Sequence, residues 1–165
     1  MRSEPFPKYQ KYITFPLANY WCVIPVAEIL KIVNCPSFEQ GGVVELGVVQ
    51  LGPHTIQLLD LYQLFDGATR TKTSTQSTCL IVLQAKNQAL WGILLETLPD
   101  LIELLPTDLK PVSLDEHFTA HSPWISHVGV LSKSDDSRTF LQLDLMSMLQ
   151  QSPETHQRAS LTTTG

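Results

Sequence analysis

The sequence predicts an all-β protein made of two related strand units, with short helices capping strand ends. Apolar residues come in short runs rich in β-branched and aromatic types and bounded by Gly, Pro and Asn, while helix-length amphipathic segments are scarce. Two residue patterns recur in the same order along the chain, which points to duplication. The chain is long enough for both units. Its 165 residues scale to a folded surface of roughly 8,000 Å² against about 27,000 Å² unfolded, so burying around 70% is feasible. With 43% hydrophobic and 16% charged residues the composition is that of a globular domain.

In chain order, strands are expected over Tyr12 to Leu17, Trp21 to Val26, Val43 to Leu51, Thr55 to Leu59, Leu80 to Gln84, Leu90 to Leu95 and Thr139 to Leu143. Ala18-Asn19-Tyr20 and Ala85 to Gln88 look like hairpin turns, and Gly52-Pro53-His54 turns the chain between two more strands. Pro16 and Pro25 cannot donate to a ladder, so their strands are edges or place these residues at strand ends. The polar stretch Asp66 to Thr78 reads as a connector between halves of about 12–65 and 79–149. The polar ends, 1–10 and 151–165, have little to bury and are expected to be flexible.

The duplication is seen in two echoes. Thr55-Ile56-Gln57-Leu58-Leu59-Asp60-Leu61 returns 84 positions later as Thr139-Phe140-Leu141-Gln142-Leu143-Asp144-Leu145. In each copy a strand ends, an Asp caps the orphan amides of a short helix, and the following Leu turns back to the core. Upstream, Ile24, Val26, Ile29, Ile32 and Val33 align with Ile93, Leu95, Leu98, Leu101 and Ile102 at an offset of 69. The offsets differ because the second half carries a longer stretch around Pro106 to Pro123. The residues therefore imply a tandem of two small β units, each an antiparallel barrel or sandwich that closes its own edges.

Little in the sequence supports catalysis. Eleven basic against sixteen acidic residues leave a net charge of -5, with no footprint for nucleic acid. Gly41-Gly42, Gly47 and Gly52 fit no phosphate-binding motif, and there is no G-x-S-x-G. Cys22, Cys35 and Cys79 lack a C-x-x-C pair and suit buried thiols in a reducing compartment. His117 and His121, with His127 beyond, have a spacing that could hold a metal, but Ser122-Pro123 breaks the helix this would need. Asp100, Glu103, Asp108, Asp115 and Glu116 read as a solvated acidic face, with a basic partner as the alternative, while Trp21 and Trp91 read as packing residues. No cofactor is expected. No apolar stretch reaches the ~18 residues of a membrane span, so the chain is expected to be cytoplasmic, without direct membrane insertion.

Several segments together resemble the CheW-like adaptors of bacterial chemotaxis signalling. Ile24-Pro25-Val26-Ala27-Glu28-Ile29-Leu30-Lys31-Ile32-Val33 is similar to the family's first hairpin and its onward strand. Gly47-Val48-Val49-Gln50-Leu51-Gly52-Pro53-His54-Thr55-Ile56 follows its G-V-I-N-L-R-G stretch, Trp91 to Leu98 its G-[IL]-x-V-D-x-V segment, and Leu143-Asp144-Leu145 its close. The resemblance implies one domain over 11–150 holding two five-stranded SH3-like β-barrel subdomains and no enzymatic activity. It implies two partners: the regulatory domain of a CheA-type histidine kinase and the cytoplasmic tip of a methyl-accepting chemoreceptor, in membrane-associated arrays. Motif matching carries over Ile29, Lys31, Val48, Gln50, Gly52 and Glu96 as candidate contact residues. Three of them depart from the family: Gly52 stands at its Arg, Lys31 at its Glu and Glu96 at its Asp. Two other functions compete with the adaptor: a barrel that binds a ligand or metal through His117, His121 and His127, and a decoy adaptor that has lost one interface.

Overall fold

The computed structural model describes residues 8–17, 19–35, 42–43, 47–61, 79–112, 124–133 and 135–150. Its strands are β1 (Gln10–Leu17), β2 (Tyr20–Pro25), β3 (Lys31–Asn34), β4 (Gly42–Val43), β5 (Val48–Leu51), β6 (His54–Leu59), β7 (Cys79–Gln84), β8 (Leu90–Leu95), β9 (Asp100–Leu104), β10 (Lys110–Pro111), β11 (Ile125–Lys133) and β12 (Asp136–Leu143). A short helix, α1 (Leu145–Gln150), follows β12. The first sheet has the order β10-β11-β12-β2-β1-β9 and the second β4-β5-β6-β8-β7-β3. Each contains five strands of four or more residues and one of two residues, in keeping with the expected all-β pair of five-stranded barrel units.

Strand register demonstrates the duplication. Gln57 faces Trp91 and Leu58 faces Gly92 across the parallel pair β6·β8. Carried forward by 84 and back by 69, these become Leu141 facing Cys22 and Gln142 facing Val23 in the parallel pair β12·β2. The two sheets therefore share one strand order, with β1–β6 equivalent to β7–β12. Their pairing is mixed, whereas all-antiparallel units were expected, because the repeats interlock. The first sheet combines β1 and β2 of one half with β9–β12 of the other, and the second combines β3–β6 with β7 and β8. The strand sets β1–β6 and β7–β12 thus repeat one order, but each contributes strands to both sheets; the expected connector 66–78, with residues 62–65, and most of the expected flexible ends, 1–7 and 151–165, lie outside the described residues.

Interlocking explains the runs of apolar residues. On β7, Ile81 and Leu83 pack into a central cluster with Phe15, Ile24, Trp91, Ile93, Leu143 and Leu145, while Leu80 and Val82 point the other way, onto Val49 and Ile56. The first sheet has its own cluster of Tyr12, Val23, Leu104, Leu109 and Phe140. A strand buried on both faces reads as continuous rather than alternating. The central cluster draws on both sheets and joins them into one body.

Local chemistry sets the ends. Leu51 faces His54, leaving Gly52-Pro53 as a two-residue hairpin loop with Gly52 at φ +60°, as a turn with glycine in its first central position requires. Gln88 N–H donates to Ala85 O at 2.9 Å in the β7–β8 turn. Pro16 lies beyond the part of β1 paired with β9, and Pro25 beyond the part of β2 paired with β12, so neither is asked for a second ladder bond. Asp144 caps α1: the Ser147 backbone N–H donates to its Oδ1 at 3.2 Å and the Ser147 hydroxyl to its Oδ2 at 2.8 Å. Leu145 and Met148 thereby turn into the central cluster. No helix among the described residues is long and apolar enough to cross a membrane.

Candidate functional site

The two repeats cross from one sheet to the other at equivalent places. After β2 a 3₁₀ turn, Val26–Glu28, carries the chain to β3; after β8 the chain bends at Glu96 and Thr97 and continues to β9. Pro25 ends the first ladder, so the first crossing begins where the backbone lacks a donor, while in the second crossing Pro99 stands at the far end, just before β9. Each crossing leads to an outermost strand that keeps apolar side chains in water. Beside β3 these are Leu30, 51% exposed, and Ile32, 38%; beside β9 they are Leu98, 67%, and Leu101, 59%. Ile32 and Leu101 are equivalent through the 69-residue offset, as are Lys31 and Asp100. The molecule thus has two related apolar rims, one with a lysine and the other with aspartate at the same place.

The six residues singled out from sequence fall around the second sheet. Ile29 ends the 3₁₀ turn, its N–H bonded to Val26 O at 3.1 Å and its side chain packed on the central cluster. Lys31 opens β3 opposite Val82 and is exposed. Val48 is half-buried at the start of β5, facing Gln57. Gln50 is exposed, donating from Nε2 to Gly52 O at 2.9 Å and accepting from Thr55 Oγ1 at 2.8 Å. Glu96 is exposed just past β8. Ile29 and Lys31 share one end of β3, whereas Val48, Gln50 and Gly52 share the β5–β6 hairpin, with β7 and β8 between β3 and that hairpin in sheet order. They form separate groups rather than one patch.

Gly52 accounts for one departure from the family pattern. Open space surrounds the position, yet its positive φ strains any side chain there. An arginine introduced at 52 would test the hairpin backbone as much as a docking surface.

Electrostatics single out the first crossing. Burial, and secondarily the negative charge of Asp144, pushes the Glu28 carboxyl up from its ordinary range. Burial and then Glu28 do the same to the Tyr12 phenol. The crossing packs near the start of α1, where Ile29 lies against the cluster that holds Leu145. Of the acidic run, Asp108 is used internally, accepting the Leu105 N–H at 2.8 Å; Asp115 and Glu116 lie outside the described residues. So do His117 and His121, while His127 Nδ1 lies 2.9 Å from Ser126 Oγ. No group of three potential metal ligands occurs among the described residues. Trp91 is core; Trp21 is half-buried with the Arg138 guanidinium 4.4 Å above its ring.

Sequence inspection missed the rims as surfaces. Ile32 and Leu101 belong to the 69-residue echo, but they sit on outermost strands where a repeated apolar residue need not be covered.

Comparison with known proteins agrees with this architecture. No curated protein matches the chain. The structure is similar to the crystal structure of the scaffolding protein TtCheW from Thermoanaerobacter tengcongensis, with a TM-score of 0.61 and 18% identity, over 88% of this chain and 90% of that one. The CheW-like domain model matches residues 11–152. CheW is a non-enzymatic scaffolding family of two SH3-like barrel subdomains, and with that match over most of its length this chain belongs to the CheW-like domain family.

Proposed function

We propose that the protein is a cytoplasmic adaptor that couples the tip of a chemoreceptor to the regulatory domain of a CheA-type histidine kinase, within a membrane-associated array. One observation carries this: the duplicated fold offers two apolar rims of like construction and unlike charge, Leu30-Lys31-Ile32 and Leu98 to Leu101. An adaptor needs two surfaces that do not compete, and charge at their edges selects partners more than it adds affinity. The reading assigns Ile29, Lys31 and Glu96 to the crossings and Val48, Gln50 and Gly52 to a further contact on the β5–β6 hairpin.

The test is binding of the purified protein to a kinase regulatory domain and to a receptor cytoplasmic fragment from the same cell. Ile32→Asp and Leu101→Asp should each abolish capture of one partner and spare the other. Binding of neither partner by the unaltered protein overturns the reading; loss of both with each variant overturns the assignment of separate rims.

A further inference from the structure

The outermost strands of the two sheets are equivalent in register as well as in the sequence echo. Lys31 faces Val82 across β3·β7, and Val82 faces Gly92 across β7·β8. In the first sheet Asp100 faces Thr14 across β1·β9, and Thr14 faces Val23 across β1·β2. Gly92 and Val23 are themselves equivalent, each standing at the same place of its parallel pair. Lys31 and Asp100 therefore occupy one position of the duplicated fold, with opposite charge.

Residues that face each other across a ladder project from the same side of the sheet, and neighbours along a strand project from opposite sides. Ile32 faces Ile81 and Leu101 faces Ile13, so both lie on the side of the central cluster. Lys31 shares a side with Val82 of the second sheet's own cluster, and Asp100 with Thr14 and with Val23 of the first sheet's. Each rim thus exposes an apolar residue on one side and a charge on the other. Neither charge is spent internally: among the described residues neither Lys31 nor Asp100 makes an ion pair. Glu103, the other acid of β9, faces Lys11, so a cation stands beside it and Asp100 is the unbalanced charge of the strand.

We infer that Lys31 and Asp100 are the specificity-determining residues of the two rims: the partner seated on Leu30 and Ile32 presents a carboxylate to Lys31, and the partner seated on Leu98 and Leu101 presents a lysine or arginine to Asp100. This deepens the adaptor reading and rests on it. Two rims of like construction and like charge would accept the same partner, and an adaptor whose ends bind the same protein couples nothing. Opposite charges at the equivalent position let each rim attract its own partner and repel the other's. Both residues stand at the edge of the apolar contact, where water remains, so they act chiefly on the rate of association and are screened by salt.

The experiment immobilises the full chain and measures binding of a kinase regulatory domain and of a receptor cytoplasmic fragment from the same cell, at low and at high salt. Lys31→Glu should weaken one partner about tenfold or more and Asp100→Lys the other, chiefly through slower association, and each should spare the partner of the opposite rim. Lys31→Arg and Asp100→Glu, which keep the sign, should bind as the unaltered chain does. High salt should narrow the gap between each charge-reversed variant and the unaltered chain. Both side chains are exposed, so melting temperatures should not move, which separates lost recognition from lost structure. If Ile32→Asp and Leu101→Asp abolish capture while the charge reversals change neither affinity nor its salt dependence, this inference falls and the adaptor reading stands. A charge reversal that tightens binding also overturns the inference. Capture of neither partner by the unaltered chain overturns both.

Discussion

The two copies of the fold differ most instructively where equivalent positions hold different residues. Gly92 occupies in β8 the place Val23 occupies in β2. A Cβ on Gly92 would come within 2.7 Å of Leu80 Cδ1 and 2.9 Å of Ile56 Cγ2, so the second barrel spends on its own Leu and Ile the space the first gives to valine. Thr14 is the buried polar exception in the first sheet, and its hydroxyl donates to Cys22 O at 2.9 Å, which removes the cost of burying it. Glu28 is the charged exception at the surface. Because its carboxyl is raised in the fold, the native state holds that proton more tightly than the unfolded chain does. Its contribution to stability is therefore favourable at low pH and declines as pH climbs from the ordinary carboxylate value through the raised one. Glu28→Gln should raise the melting temperature at neutral pH, with the gain vanishing below the ordinary carboxylate range. Thermal melts of both proteins across that range check it, and a gain that persists in acid would count against burial as the cause.

At the scale of elements, the recurrent Asp shows how a short motif closes a barrel. Asp144 accepts from both the backbone and the hydroxyl of Ser147, and α1 is only six residues long, too short to form by propensity alone. Asp144→Ala should cost about 0.5–2 kcal/mol, with exposure of Leu145 and Met148, while Asp144→Asn should restore most of the loss; urea melts of the three proteins measure it. This cap was legible in the sequence because strand, Asp and Leu occur together twice, as were β1, β2, β6, β7, β8 and β12, whose apolar runs are bounded by turn residues. The run Val43 to Leu51 read as one strand, yet Gly47 at φ +72° separates β4 from β5. The strands β9 and β11 went unread, and β3 was read only through the family resemblance, for a physical reason. β3 and β9 are outermost and mostly exposed, so burial imposes no alternation on them, and in β11 Gly129 breaks the apolar pattern of the sequence because the Asp108 backbone oxygen and Leu109 Cδ2 crowd the place of a Cβ. The six candidate contact residues were legible as family positions, but their split between the two crossings and the β5–β6 hairpin depends on a sheet order that no local pattern encodes.

The whole molecule has a property neither repeat has by itself. A tandem duplication could give two barrels that fold independently, each melting on its own. Here β2 is held by β12 and β8 by β6, so each sheet is completed by strands from the other half of the sequence. The central cluster then takes Ile24 from the first sheet and Ile93 from the second, equivalent residues that are both fully buried. For an adaptor this matters, since the two rims then share one core. Ile24→Ala and Ile93→Ala should each cost about 2–5 kcal/mol, and each variant should still unfold in one transition that is the same by tryptophan fluorescence and by far-ultraviolet circular dichroism. Trp21 lies in the first sheet and Trp91 in the second, so with Trp124→Phe made in both, fluorescence of Trp21→Phe and Trp91→Phe backgrounds reports the sheets separately. A midpoint that falls for one tryptophan and stays fixed for the other would mean that the sheets are energetically independent, and that the interlocked strands do not bind the two rims into one unit.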